Sequence, residues 1–249
     1  MIDSLELAKR QAVIFDRGPM YNEFVHDHVI REPWNAYSSL FFFIPVVFWL
    51  WYLRGSYRKH GFLVALLPLL FLNGLGSTLF HAFRTSNAFL VLDWLPAALM
   101  SFSLSVFFWH RVVRRLWLAF LVVIGFYGLG ISAVMLMRSV VHISSPSVGY
   151  FFSGAAFLIP VIIDLYRHRW RHAGWYVGSL LLLVLSLTCR VLDYPTPNPF
   201  PWMPQGTHFL WHVFSSFAVF TLGFYVYLST NDQKQEMVAQ VKKEHRRHP

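Results

Sequence analysis

The chain has 249 residues, of which 56% are hydrophobic and 13% are charged, with a net charge of +9. Soluble domains are typically about 25% charged, so this composition excludes an ordinary soluble protein and favours a membrane protein. The single cysteine, Cys189, excludes an internal disulfide framework. A strong positive charge can indicate nucleic-acid binding, but its placement along this chain indicates membrane topology instead.

Residues 1–31, the leader, are polar and of mixed charge, and no apolar stretch after a basic start marks a cleavable signal peptide. Apolar blocks of about 20 residues follow, the length that crosses ~30 Å of hydrocarbon as a helix. They predict seven membrane helices, over residues 34–53, 61–83, 88–109, 116–137, 148–165, 173–192 and 206–228. The prediction is an all-α, seven-transmembrane-helix domain over residues 32–228, followed by a basic tail over 229–249.

Lysine and arginine are distributed unevenly between the two sides of this predicted bundle. One side carries Arg54, Arg58, Lys59, Arg111, Arg114, Arg115, Arg167, Arg169, Arg171, Lys234, Lys242, Lys243, Arg246 and Arg247. The other carries Lys9, Arg10, Arg17, Arg31, Arg84, Arg138 and Arg190. There are thus fourteen basic residues on one side and seven on the other. By the positive-inside rule, this difference predicts a cytosolic C-terminus and an exoplasmic N-terminus. The basic tail is then a topology signal, and no nucleic-acid partner is expected.

Polar groups recur in the apolar helices at one predicted membrane depth. Ser77 and His81 share a face near the end of the second helix, and Asp93 is near the start of the third. His208 and His212 are four residues apart at the start of the seventh. The predicted topology brings all five close to the exoplasmic surface. Ionisable groups inside membrane helices are costly and indicate function.

Histidines at this spacing can bind one metal ion from one helix face. Taken alone, His208 and His212 could equally be interfacial residues that hydrogen-bond locally. With His81 at the same depth, they complete the three-histidine set of a catalytic zinc site that keeps one position open for water. Ser77 and Asp93 are then candidates to hold that water or the substrate.

The same five residues resemble the signature of the CREST superfamily of seven-helix membrane hydrolases and receptors. The matching patterns are Ser77-x3-His81, Asp93 between leucine and tryptophan, and His208-x3-His212. Residues 32–35, Glu-Pro-Trp-Asn, and residues 21–23, Tyr-Asn-Glu, are similar to segments of the alkaline ceramidases within that superfamily, with asparagine where those have cysteine. The resemblance covers about residues 20–228.

This resemblance implies an intramembrane zinc-dependent amidase that hydrolyses ceramide to a sphingoid base and a fatty acid, with zinc-activated water. His81, His208 and His212 would bind zinc. Asp93 would transfer the proton and Ser77 would donate to the developing oxyanion. The ceramidases also hold a calcium ion, and Glu23 and Glu32 match two of its ligand positions.

The implied partners are a lipid substrate and the bilayer, in a bacterial inner membrane or an ER or Golgi membrane, with the site near the exoplasmic face. Two alternatives stay open. A progestin- or adiponectin-type receptor keeps the zinc fold but has the opposite orientation, against which the charge bias argues. A related lipid ester hydrolase would need the same groups. The sequence predicts no oligomeric state.

Overall fold

The computed structural model describes residues 10, 12–141, 147–193 and 198–245. In these residues the chain is all-helical and contains no strand, as predicted. The long helices are α1 (Pro33–Tyr52), α2 (Gly61–Phe83), α3 (Asn87–Val113), α4 (Leu116–Leu136), α5 (Ser147–Arg167), α6 (Ala173–Leu192) and α7 (His208–His245). All predicted boundaries except the last lie within a few residues of these.

Six helical segments in the described part of the chain are long and apolar enough to cross a membrane. They are Pro33–Tyr52, Tyr57–Phe83, Asn87–Val113, Leu116–Val140, Ala173–Leu192 and His208–Gln235. Large apolar side chains such as Leu121, Ile124 and Ile131 of α4 are exposed, as expected for contact with lipid. The chain is therefore a multi-pass membrane protein. Because α5 is not among the six, a seventh crossing stays a prediction.

The predicted end of the last helix at residue 228 is wrong. Helix α7 continues through Ser229 to His245, so the described part of the basic tail, residues 229–245, is helical. The change from apolar to polar sequence marks where a helix leaves the membrane, and it does not stop the helix itself. Residues such as Gln, Lys, Glu and Ala after this change have high helix propensity.

Helix α1 contains a short 3-10 turn, Leu40–Phe42, before it continues at Phe43. Pro45 follows and has no N–H to donate to the carbonyl four residues earlier, that of Phe41. The Ser216 hydroxyl of α7 donates to this carbonyl instead, at 2.7 Å. The irregular turn therefore connects α1 to α7.

The leader docks on the carboxyl end of α2. The last carbonyls of a helix have no partner within it. Here the carbonyls of His81, Ala82 and Arg84 accept hydrogen bonds from the backbone N–H groups of Glu32, Arg31 and Phe15. These bonds join the leader and the start of α1 to the turn of α2 that carries His81.

The chain divides into two compact units. Residues Met1–Ala97 and His172–Pro249 form the first, which contains all five predicted site residues. Within it, α6 packs on α7 through Ser186 Oγ and Ser215 Oγ at 2.6 Å, and Ser179 Oγ donates to Ala218 O at 2.8 Å. Residues Ala98–Arg171 form the second unit, with its own buried ion pair between Arg111 and Asp164 at 3.1 Å.

Candidate metal centre

Three histidines from two helices converge in the first unit. His81 lies in the last turn of α2, and His208 and His212 lie on one face of the first turns of α7. One ring nitrogen from each lies within 4.8 Å of the others. The side chains are buried, at 0%, 2% and 2% exposure. In the described residues, this is the one group of three such side chains with the spacing of a metal site.

Two of the ring nitrogens have no hydrogen-bond partner among the described residues. They are Nε2 of His81 and Nδ1 of His208. A buried polar atom without a partner costs about 1–3 kcal/mol, so such atoms usually bind something. Neutral imidazole nitrogens are common zinc ligands. The three histidines therefore fit a transition-metal ion, of which zinc is one that imidazole ligands suit.

In two of the histidines, the second ring nitrogen contacts a polar side chain outside the group of three. Nδ1 of His81 bonds to Oε2 of the wholly buried Glu32 at 2.5 Å. Nδ1 of His212 lies 2.9 Å from the Ser38 hydroxyl of α1. Metal-binding histidines almost always use their second nitrogen in this way, which sets the ring's orientation. Both contacts leave Nε2 as the nitrogen available to a metal.

Ser77 and Asp93 lie beside this group. Ser77 Oγ is 3.5 Å from His212 Nε2 and accepts a hydrogen bond from Ser39 Oγ at 3.0 Å. It also hydrogen-bonds the Asp93 carboxylate. The Asn73 amide donates to the backbone carbonyl of Asp93. The structure thus brings together all five residues that the sequence singled out, as three potential ligands and a neighbouring acid–hydroxyl pair.

Gly76 explains how Asp93 reaches Ser77. A Cβ atom at this position would lie 2.6 Å from the Asp93 backbone nitrogen and closer still to the Leu92 carbonyl. Helices α2 and α3 therefore touch backbone to backbone, and only glycine permits that distance. The residue after it, Ser77, is thereby placed within reach of the carboxylate.

The start of α7 is fixed by Asp193 at the end of α6. Its Oδ1 accepts the backbone N–H of Thr207 at 2.6 Å, just before His208. Gly206, directly before Thr207, has a φ of 71° and makes the turn into α7. A Cβ atom at Gly206 would collide with the Asp193 carboxylate. Burial raises the pKa of Asp193, which its N–H donors partly counteract. This contact sets the position of both histidines of α7.

Glu23 and Glu32, the predicted calcium ligands, have other partners in the structure. The two oxygens of Glu23 accept the backbone N–H groups of Trp34 and Asn35, at 2.7 and 2.9 Å, and so cap α1. Glu32 contacts His81, the Asn35 amide at 3.2 Å and the Arg84 guanidinium. Calcium binding itself stays a prediction.

Charge and burial oppose each other at Glu32. Burial raises the pKa of this carboxyl and the charge and hydrogen bond of Arg84 lower it, and the net pKa is raised to about 7. Burial lowers the pKa of Arg84, but its bonds to Asp16 and Glu32 outweigh that effect and the net pKa is raised. The Arg84 guanidinium thus favours the ionised form of Glu32, which accepts a hydrogen bond from the Nδ1–H group of His81.

Several groups at the centre were not identified from the sequence. Ser38 and Ser39 contact His212 and Ser77, and the Tyr21 ring stacks on His208 with centroids 3.9 Å apart. Adjacent serines inside an apolar helix were an available signal, because polar groups in membrane helices need a partner. No local signal marks Tyr21 as a contact of His208.

A cavity of about 460 Å³ lies between the leader and α1. It is lined by Val25, His28, Val29, Ile30, Pro33 and Tyr37. None of the five site residues lines it, so the cavity is distinct from the metal centre.

Comparison of the chain with protein-family models and with curated proteins finds no match.

Proposed function

We propose that this chain is a zinc-dependent membrane hydrolase that cleaves the amide bond of ceramide or a closely related N-acyl lipid. One observation carries the proposal: the ring nitrogens of His81, His208 and His212 lie within 4.8 Å of one another in a buried site. The Ser77–Asp93 pair lies next to them. The resemblance to the alkaline ceramidases supplies the substrate class.

The three histidines would hold zinc, with Glu32 and Ser38 orienting two of their rings. When bound, zinc supplies a Lewis acid and lowers the pKa of coordinated water from about 15.7 to about 7. The remaining chemistry belongs to the chain's own side chains.

Asp93 is the proposed general base and acid. Its carboxylate takes a proton from the water that attacks the amide carbon, and then delivers it to the leaving nitrogen. Ser77 donates its hydroxyl hydrogen to the amide oxygen as negative charge develops there. Ser39 Oγ donates to Ser77 Oγ at 3.0 Å and holds this hydroxyl in place. The Ser77 hydrogen, which bonds the Asp93 carboxylate in the structure, would turn to the amide oxygen when the substrate is bound.

In the proposed topology, seven helices cross the membrane and the N-terminus is exoplasmic. The charge bias supports this orientation. It puts the carboxyl end of α2 and the amino end of α7, and with them the metal centre, near the exoplasmic surface. A ceramide headgroup would lie at that surface while its acyl chains stay in the apolar region. The membrane is a bacterial inner membrane or an ER or Golgi membrane.

The test is product analysis with purified protein. Ceramide, an N-acyl amino lipid and a phospholipid are incubated separately with zinc-loaded protein, and the products are identified by mass. Sphingoid base and fatty acid should form from ceramide, and not with Asp93→Asn protein purified in the same way. Cleavage of the phospholipid alone would establish an ester hydrolase instead. No product from any lipid, with zinc retained, would favour the receptor alternative.

A further inference from the structure

The leader folds around buried arginine side chains. Arg84, directly after α2, is 0% exposed and has φ of 54°. This left-handed conformation is the one in which helices commonly end on glycine, because a side chain strains it. Arg114 has a similar φ of 60° but its side chain is exposed, whereas the side chain of Arg84 is wholly buried and hydrogen-bonded.

The guanidinium of Arg84 makes four hydrogen bonds to oxygen atoms. Nε and Nη2 donate to the two oxygens of Asp16, each at 2.9 Å. Nη2 also donates to the Pro19 carbonyl at 3.1 Å, and Nη1 donates to Glu32. The forked contact with Asp16 is the geometry that only arginine provides. Two carboxylates and a carbonyl thus converge on one buried positive charge.

A second arginine donates hydrogen bonds to the next backbone carbonyls of the leader. Arg10 Nη1 donates to Tyr21 O at 3.0 Å and to Asn22 O at 3.3 Å. Calcium requires six to eight oxygen ligands, mainly carboxylates and carbonyls. In this segment those oxygens already accept hydrogen bonds from N–H donors, including both oxygens of Glu23. The residues present therefore do not fit calcium.

We propose that the Arg84 guanidinium takes the structural place of a calcium ion, and that it positions the metal centre through Glu32. The chain thereby carries its own cation. One oxygen of Glu32 accepts from Arg84 and the other faces Nδ1 of His81. The guanidinium also lies 5.8 Å from the centre of the Tyr21 ring, which stacks on His208. Arg84 is thus a positioning residue for two of the three histidines.

The claim that Arg84 replaces calcium is independent of activity. The claim that Arg84 positions the metal centre rests on the proposed zinc function. Both are tested on the full chain in detergent. Calcium titrated into wild-type protein should produce no binding heat and no shift in Tm. Arg84→Gly removes the strain and the charge together. Its Tm should be lower than wild type and should rise on addition of calcium or guanidinium ion, either of which can enter the vacated position.

Zinc affinity, measured by competition with a chromophoric chelator, reports the positioning role. Loss of a group behind a metal-binding histidine typically weakens metal affinity by about 10–100-fold. Arg84 is one contact further out, behind Glu32, so Arg84→Gly should show a loss at the lower end of this range, about 10-fold. Arg84→Lys, which keeps the charge but not the fork, should lie between it and wild type. Arg17→Gln, which removes the same charge from an exposed side chain of the leader, should match wild type.

Stoichiometric calcium binding by wild-type protein would overturn the proposal. So would a wild-type Tm and zinc affinity in both Arg84 variants. If Arg84→Gly does not fold, the comparison of Arg84→Lys with Arg17→Gln still decides. Wild-type protein that binds no zinc would refute the proposed function, while the calcium titration and the Tm values would still decide whether Arg84 replaces calcium.

Discussion

Gly76 lies where the backbones of α2 and α3 touch, and its replacement by alanine tests whether this contact positions Asp93. The added Cβ would be 2.6 Å from the Asp93 nitrogen, whereas ordinary contacts begin at 3.4 Å. Helix α3 must therefore move away by at least 0.8 Å, the difference between these two distances. Asp93 moves with it, while Ser77 stays on α2.

Gly76→Ala should reduce turnover strongly while it reduces the free energy of unfolding only slightly. A shift of ~1 Å in a catalytic group can reduce turnover by about 10²-fold. Overpacking typically costs about 1–3 kcal/mol, and alanine regains about 1 kcal/mol over glycine within a helix. The net loss of stability is then at most about 2 kcal/mol, which leaves the protein folded. Zinc content should be unchanged, because the three histidines lie on α2 and α7.

The assay compares ceramide turnover, zinc per chain and Tm for Gly76→Ala and for Gly61→Ala. Gly61 begins the same helix, and a Cβ there would meet no atom within 4 Å. The control should keep wild-type turnover. Gly76→Ala protein with full zinc and full turnover would show that the close approach of α2 and α3 does not position Asp93.

Three further predictions concern the ligands, the base and the topology. His81→Ala and His212→Ala should each lose zinc by metal analysis, because two histidines hold it poorly; retention of one zinc per chain would remove that residue from the ligand set. Asp93→Asn should keep zinc but lose about 10²–10⁴-fold in turnover, as for a lost general base. Undiminished turnover would exclude that role. With Cys189 replaced by alanine, His28→Cys should react with an impermeant thiol reagent in intact cells, and Arg58→Cys only after permeabilisation. The reverse pattern would favour the receptor-like orientation.

The histidines could be predicted from the sequence because the information is local. His208 and His212 share a helix face by their spacing alone. His81 joins them once alternating helix directions are assigned, and the structure places the three ring nitrogens together. Helix boundaries followed the apolar blocks for the same reason. The continuation of α7 past Ser229 did not, because hydropathy reports membrane depth and not helix ends.

The support around the histidines could not be predicted from local patterns. Arg84 contacts Asp16 and Glu32 across sequence separations of 68 and 52 residues. Neither period nor composition indicates such a pairing, and Arg84 lies in what the sequence shows only as a polar break between two helices. Glu32 was predicted as a calcium ligand from its motif, whereas the structure shows it between an arginine and His81. Partners of this kind follow from the tertiary fold.

Zinc removal and return tests the central claim most directly. Purified wild-type protein is stripped with a chelator, assayed on ceramide, and then reloaded with zinc while zinc per chain is measured. Turnover should disappear on stripping and return in proportion to zinc, up to about one ion per chain, since three imidazoles form a single site with one open position. Full ceramide turnover by protein that contains no zinc would contradict the proposed function.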